Sequence, residues 1–315
     1  MTRWLDDETA VRLDHYRALG RSLDLETPLR FSDKIQHYKL AIRDPRMPAF
    51  VDKRAVKTYV RETLGADWVI PTIWSGMRVT ELDLRIMPPR SVIKPSHASG
   101  KIAFIDSATD LAALARRANS WLKWDHHLMH REWAYAGAAR RLLIEPQIAP
   151  PDALTDYKFW VFDGEVCLIQ VDTNRFSRHA RSFFTVEWRP VDVKLKYARD
   201  ATPPAPPPRL DMLVQGALKL AADFRFVRVD LYDAPDHPLF GEMTFWPEAG
   251  LCRFSPPAFD LALGEHWSYP QPPQRSALLS RAYSSPSRSS SSTLMVSTCP
   301  SSSSTETVPT NSSCT

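Results

Sequence analysis

The sequence predicts a fold of mixed helices and antiparallel strands, an α+β architecture, and three features predict it. Stripes of apolar residues at helical spacing fill the first 65 residues. DYKFWVFDGEVCLIQVDTNRF (156–176) reads as a hairpin, with Asp163–Gly164 at its turn and apolar residues on both flanks. A second pair of apolar runs, FVRVDLYDAPDHPLFGEMTFWP (226–247), is joined by the Asp- and Pro-rich linker 233–238, which has the composition of a turn.

The elements follow in order. Residues 7–20 read as a short amphipathic helix closed by Gly20, and residues 31–42 as a helix with Phe31, Ile35, Tyr38 and Ile42 on one face and Ser32 as N-cap. A third helix spans 52–64, with Val56, Tyr59, Val60 and Leu64 on one stripe and Gly65 as its stop. DWVIPTIW (67–74) reads as a strand interrupted by Pro71. SVIKP (91–95) and IAFI (102–105) are short strands around a turn, and 109–121 is an alanine-rich helix. Residues 122–137 hold His126, His127 and His130, but no second ligand cluster is spaced to complete a metal site, so a packed surface helix or loop is expected. Strands at 141–148 and 181–188, a Pro-rich loop at 202–208 and a helix at 210–223 complete the body.

Composition bounds the function. The chain has 315 residues, 43% of them hydrophobic and 24% charged, the balance of a globular protein with room for two or three lobes. A net charge of +4, spread along the chain, suits a phosphate-bearing ligand, and the basic residues form no stripe interleaved with aromatics, so nucleic acid is not expected as a partner. The four cysteines form no CxxC pair, which argues against a zinc site or disulfide framework. No signal-peptide h-region and no long apolar run is present, so no membrane span is expected and the cytoplasm is the expected compartment. Residues 271–315 are serine-rich and aperiodic. A disordered tail is expected there from about 275, and its unlike character also fits an altered reading frame.

The charges in the second hairpin carry the chemistry. Arg228 and Asp230 lie two apart and face one side of a strand, as do Glu242 and Thr244 on the next. Two carboxylates among apolar neighbours repel each other and lose hydration unless a cation lies between them, and oxygen ligands of this kind suit Mg²⁺ shared with phosphate. A structural account fits equally: a buried Arg228–Asp230 ion pair with Glu242 at a solvated edge. Upstream, Lys94 ends a strand before the small-residue loop Ser96-His97-Ala98-Ser99-Gly100, whose backbone N–H groups could approach phosphate oxygens. Glu145, and Asp156 with Lys158, add further charges among apolar residues. Together the set describes a nucleotide triphosphate with Mg²⁺.

This ordered set, with FSDKIQHYKL (31–40), DYKFWVFDGEV (156–166), IQVDTNRF (169–176) and FVRVDLYD…FGEMTFWP, resembles the TupA-like ATP-grasp family, associated with bacterial cell-surface polysaccharide and teichuronopeptide synthesis. The resemblance covers about 30–265. It implies ATP held between two lobes with antiparallel sheets, Lys94 and Lys57 on phosphates, and His97, Ser99 and Gly100 in a closing loop. It implies Glu145, Gln147 and Ile148 in the strand that meets adenine, Asp156 on the ribose and Lys158 on phosphate. Asp230 and Glu242, with Thr244, take the place of the Mg²⁺ ligands, and Arg228 and Lys158 the place of catalytic groups. Asp172, Arg175, His179 and Arg181 are implied to grip a carboxylate substrate. Most ATP-grasp enzymes carry Asn where Thr244 stands, which puts a second metal in doubt.

The implied organisation is a helical extension (1–30), an α/β lobe (31–90), a small lobe with the phosphate loop (91–150), a large lobe with the metal site (151–270) and the tail (271–315). The implied activity is ATP- and Mg-dependent joining of a carboxylate to an amine through an acyl phosphate, with amino-acid and sugar-acid units of a surface polymer as substrates. A kinase or transferase of polysaccharide assembly, or a non-catalytic ATP-binding protein, would use the same site.

Overall fold

The computed structural model describes residues 4–269. The Ser-rich stretch 271–315 lies outside the described residues. Two antiparallel sheets organise the chain. The first has four short strands, β1 (Trp74–Gly76), β2 (Ser91–Pro95), β3 (Ala103–Ile105) and β4 (Leu142–Pro146), in the order β1-β4-β2-β3. The second has five strands in the order β10-β9-β5-β6-β7, formed by β5 (Asp156–Phe162), β6 (Glu165–Thr173), β7 (Ala180–Phe184), β9 (Phe226–Asp233) and β10 (Pro238–Thr244). A two-residue pair, β8 (Lys194–Leu195) with β11 (Phe254–Ser255), lies apart from both.

Each sheet has its own core, as alternating apolar strands require a covering layer. The small sheet packs Ile93, Ile105 and Ile144 against α5 (Glu81–Arg85) and α6 (Leu111–Trp121) through Leu84, Leu114 and Ala118. The large sheet packs against α8 (Leu210–Ala221) through Leu213, Ala217 and Leu220. It also meets α2 (Phe31–Ala41), whose Phe31 ring sits 5.3 Å from both Trp160 and Phe226. Burying a side chain of this size contributes roughly 1.5–3 kcal/mol.

Both predicted hairpins form. Asp163 and Gly164 take φ values of 45° and 87°, the paired left-handed conformation that a two-residue hairpin turn needs, and they join β5 to β6. β9 and β10 pair with a register shift between Phe240 and Glu242. This bulge sets Glu242 opposite Asp230 and Thr244 opposite Arg228.

Three local expectations change. Ser32 does not cap α2; it lies inside the helix, and its N–H and hydroxyl both donate to Asp260 of α9 (Ala258–Glu265), at 2.9 and 2.6 Å. The stretch 67–74 is mostly irregular, with a 3-10 turn at Ala66–Trp68, and the strand begins only at Trp74, beyond the Pro71 that lacks a donor. The strand expected at 181–188 ends at Phe184, where Thr185 and Trp188 close a turn. The first helix, α1 (Asp7–Leu19), ends on Gly20 at φ 73° as its sequence requires. Two further helices, α3 (Met47–Val51) and α4 (Val56–Leu64), precede β1, and α7 (His127–His130) is one short turn. No helix among the described residues is long and apolar enough to cross a membrane.

Candidate active site

Two adjoining cavities lie along one face of the large sheet, and Arg175 lines both. The larger is about 490 Å³. The smaller is an apolar slot of about 80 Å³, walled by Val92, Ile102 and Phe104 of the small-sheet side, by 145–149, and by Tyr232 and Gly241 of β9 and β10. Phe104 meets Phe176 edge to face at 4.9 Å, and both rings border the slot.

At the mouth of the slot, Glu145 is buried between two lysines, with Lys57 Nζ and Lys94 Nζ each 2.6 Å from its carboxylate. Burial alone would raise the Glu145 carboxyl; Lys94 and Lys57 outweigh it and hold the group below its ordinary range. Lys57 also donates to the Ile70 carbonyl and the Thr72 hydroxyl. Its ammonium is therefore a partner of Glu145 rather than a group lining the larger cavity. Lys94, Glu145, Gln147 and Ile148 all line the slot.

The larger cavity is built on the second hairpin and its neighbours. Arg228 grips Asp230 with two hydrogen bonds, Nε to Oδ1 at 2.7 Å and Nη2 to Oδ2 at 2.8 Å. Lys158, across the ladder from Asp230, donates to it at 2.5 Å and to Asp156 at 3.1 Å. Arg175 donates to the same Asp156 oxygen, Oδ2, that accepts from Lys158. Glu242 faces the cavity, 3.5 Å from Arg228 and 3.8 Å from Lys53 Nζ. Burial pushes the Glu242 carboxyl up, but Lys53, Lys158 and Arg228 together hold it down at about 2. The Thr244 hydroxyl accepts from Arg228 at 3.1 Å. Both accounts of these charges thus share one geometry: the Arg228–Asp230 pair forms, and Glu242 stands beside it on the open side.

The loop 96–100 crosses above. Ser96 anchors it, its N–H donating to the Arg141 carbonyl at 2.8 Å. Ser99 and Gly100 line the cavity, and Gly100 takes φ 72°. His97 turns inward and is 2% exposed, and burial lowers its imidazole, so it faces the protein rather than the cavity as a neutral ring. Lys53 braces the loop through the Ala98 carbonyl at 3.0 Å.

At the far end, Arg181 holds Asp172 with Nε and Nη2 at 2.7 and 3.0 Å and Glu248 with Nη1 at 2.9 Å. His179 lies 3.5 Å from Asp172 and stacks on Tyr197 at 3.7 Å. The four residues expected to grip a carboxylate are thus brought together, but Arg181 is already saturated by two acids. Arg175 lines the cavity and, among the described residues, makes one side-chain hydrogen bond, to Asp156.

Several residues in or beside the cavity escape sequence reasoning. Lys53 sits four residues before Lys57, outside the apolar stripe, and only the fold carries it to Glu242. Glu248 lies in a turn where residues 248, 249 and 250 all have φ between 49° and 67°. Gln36 and Lys39 of α2 hold this turn by donating to the Ala249 carbonyl at 2.9 and 3.0 Å. Lys39 is 1% exposed, and burial, partly opposed by Glu132 and Asp14, lowers its ammonium to about 8. The FSDKIQHYKL segment, legible only as a motif, is what secures this turn.

Antiparallel sheets flanking an apolar slot, with a basic and acidic cleft beside it, define the ATP-grasp class. A family model described as TupA-like ATPgrasp matches residues 33–268, and the chain belongs to that family. Among solved structures it is similar to D-alanine–D-alanine ligase from Bacillus anthracis, at 16% identity and a TM-score of 0.39, covering 68% of this chain and 59% of that one. It is similar to D-cycloserine synthetase DcsG at 17% and 0.37, covering 70% and 71%. It is also similar to the ATP-grasp ligase PsnB complexed with minimal precursor, at 9% and 0.36, covering 68% and 60%. The chain spans about 59% of the length of the first of these. A comparison with curated proteins finds no match.

Proposed function

We propose that the chain is an ATP- and Mg²⁺-dependent ligase that joins a carboxylate to an amine, with the work of building a cell-surface polysaccharide or peptide-modified polymer as its setting. The observation that carries the reading is Glu242 standing opposite Asp230, with Lys158, Arg228 and Lys53 around them and the 99–100 loop on the same cavity. Membership of the TupA-like ATP-grasp family supports it. The proposed clasp is the small lobe, 91–150, against the large lobe, 151–270.

The donor set fits Mg²⁺. Asp230 and Glu242 are hard oxygen donors on paired positions, Thr244 adds a hydroxyl, and an ion there would share the Asp230 oxygens that Arg228 and Lys158 hold. Among the described residues no cluster of three or more His, Cys, Asp or Glu is arranged to hold an ion. A two-carboxylate set is what Mg²⁺ accepts when water and substrate phosphates complete its shell. When bound, the ion would offset charge on the transferring phosphoryl group.

The chain's own residues then divide the work. The apolar slot receives the base, with backbone groups of 145–148 along its edge. Asp156 faces the ribose, and Lys94, Lys158 and the N–H groups of 99–100 face the phosphates. Arg228 and Lys158 stay charged throughout, because burial, which lowers Lys158, is outweighed by Asp156 and Asp230. They therefore present fixed positive charge where negative charge spreads in phosphoryl transfer. A substrate carboxylate attacks the γ-phosphate, ADP leaves, and the acyl phosphate is attacked by an amine with release of phosphate. Arg175, His179 and the Asp172–Arg181 pair orient the carboxylate substrate. No protein nucleophile is required.

The test is a screen of amino-acid and uronic-acid pairs for Mg-dependent ADP release, with hydroxylamine present to trap acyl phosphate. Hydroxamate formation with one acid supports the reading. ADP release giving a sugar phosphate and no hydroxamate would replace it with a kinase.

A further inference from the structure

Four acids line the larger cavity, and three of them are paired. Asp172 is held by Arg181, Glu248 by Arg181 and Lys196, and Glu242 stands beside Arg228 and Lys53. Glu132 differs. It follows α7, where Arg131 at φ 57° turns the chain toward the cavity. Glu132 is only 7% exposed, yet among the described residues its carboxylate makes no hydrogen bond and has no lysine or arginine within ion-pair distance. The His126 ring lies closest, with Nε2 3.4 Å away, and His130 also feels the Glu132 charge through space. Lys39 feels the Glu132 charge through space but gives its hydrogen bonds to Gln36 and the Ala249 carbonyl.

A buried carboxylate with no lysine or arginine in contact is costly by several kcal/mol, and an outside cation would offset that cost. The surroundings select the cation. Glu132 and the His126 and His130 imidazoles line the same cavity, but among the described residues no cluster is arranged to hold a metal. The rings of Tyr135 and Trp246 line the same cavity, and aromatic faces attract an ammonium. We infer that Glu132 is the anchor of an ammonium subsite and that its ligand is a primary amine. Ser99 and Gly100 border the same open space, so an amine held there shares the cavity with the phosphate loop. That this amine is the acceptor of the joining reaction rests on the ligase reading; the binding itself does not.

The test is isothermal titration of the full chain, in the presence of Mg·ADP, with three amines that lack a carboxylate: D-glucosamine, alaninamide and ethanolamine. D-glucose, lactamide and ethylene glycol are their uncharged counterparts. At least one amine is expected to bind while its counterpart does not. Glu132→Gln should weaken that amine roughly tenfold or more, since a charge-assisted contact is lost. Glu132→Asp, which keeps the charge, should restore part of the affinity. Mg·ADP affinity, measured in the same samples, should stay at the wild-type value in both variants. Absence of binding by all three amines, or binding that survives Glu132→Gln unchanged, overturns the inference. Failure of wild-type protein to bind Mg·ADP would instead count against the nucleotide site and leave the ammonium result to stand on its own titration.

Discussion

Glu242 lies directly across the β9–β10 ladder from Asp230, and the bulge at Gly241 puts it there. A Cβ at Gly241 would meet the Asp230 carbonyl at 2.9 Å and the Tyr232 ring at 3.1 Å. The close approach of the two strands at the acidic pair therefore depends on the absence of a side chain.

Gly241→Ala should push the strands apart at the pair. Overpacking of this kind costs about 1–3 kcal/mol, so the melting temperature should drop by several degrees. Mg·ATP affinity should fall with it in a titration of the folded variant. An unchanged melting temperature and affinity would show that the bulge tolerates a methyl group and does not set the pair.

Lys57→Met should destabilise more than a surface change does. It removes one of two cations from Glu145, whose side chain is 2% exposed, and breaking a buried pair costs about 3 kcal/mol. Chemical denaturation of wild type and variant measures the difference. A loss below about 0.5 kcal/mol, the level of ordinary surface substitutions, would contradict the structural role assigned to Lys57.

Gly250→Ala should be among the most damaging small substitutions around the large sheet. The residue sits at φ 67°, and a Cβ would lie 2.5 Å from Ile35 Cγ2 and 2.7 Å from Gln36 Nε2. Backbone strain and steric overlap together predict a loss of roughly 2–4 kcal/mol, read by denaturation. Loosening this turn should also free Glu248 from Arg181.

The pH dependence of stability follows from Glu248. Burial raises its carboxyl, but Arg181 and Lys196 overcome this and bring it from the ordinary 4.5 to about 2. The folded state thus binds this proton less readily than the unfolded chain. The stabilisation, about 3 kcal/mol at most, is complete above pH 4.5 and is lost as pH falls toward 2. Melting temperatures between pH 7 and pH 3 should decline for wild type and decline less steeply for Glu248→Gln. Parallel curves would refute this assignment.

The hairpins were legible because local signals agree: Asp163–Gly164 forces a two-residue turn, and the alternation in FVRVDLYD assigns Arg228 and Asp230 to one face whatever the tertiary context. The register that joins Asp230 to Glu242 was legible to the level of adjacent strands; the bulge that completes it was not, since a lone glycine between Phe240 and Glu242 reads as an ordinary strand residue. Ser32 looked like a cap because serine commonly caps, but Asp260, more than 200 residues away, takes its donors. Lys53 and Lys57 show the same limit. Lys53 lies in the turn before α4 and Lys57 in its first turn, and only the non-local packing of this segment sends one to Glu242 and the other to Glu145. Glu132 carried no sequence signal, because only the folded chain buries its carboxylate with no lysine or arginine against it among the described residues.

The measurement that bears most directly on the account is ATP titration with and without Mg²⁺, on wild type and on Glu242→Gln. Wild-type affinity should rise about tenfold or more when Mg²⁺ is added, and the variant should retain metal-free binding while losing most of that gain. Affinity indifferent to Mg²⁺ in the wild type, or a full Mg²⁺ gain in Glu242→Gln, would mean that Asp230 and Glu242 serve only the ion pairs around them.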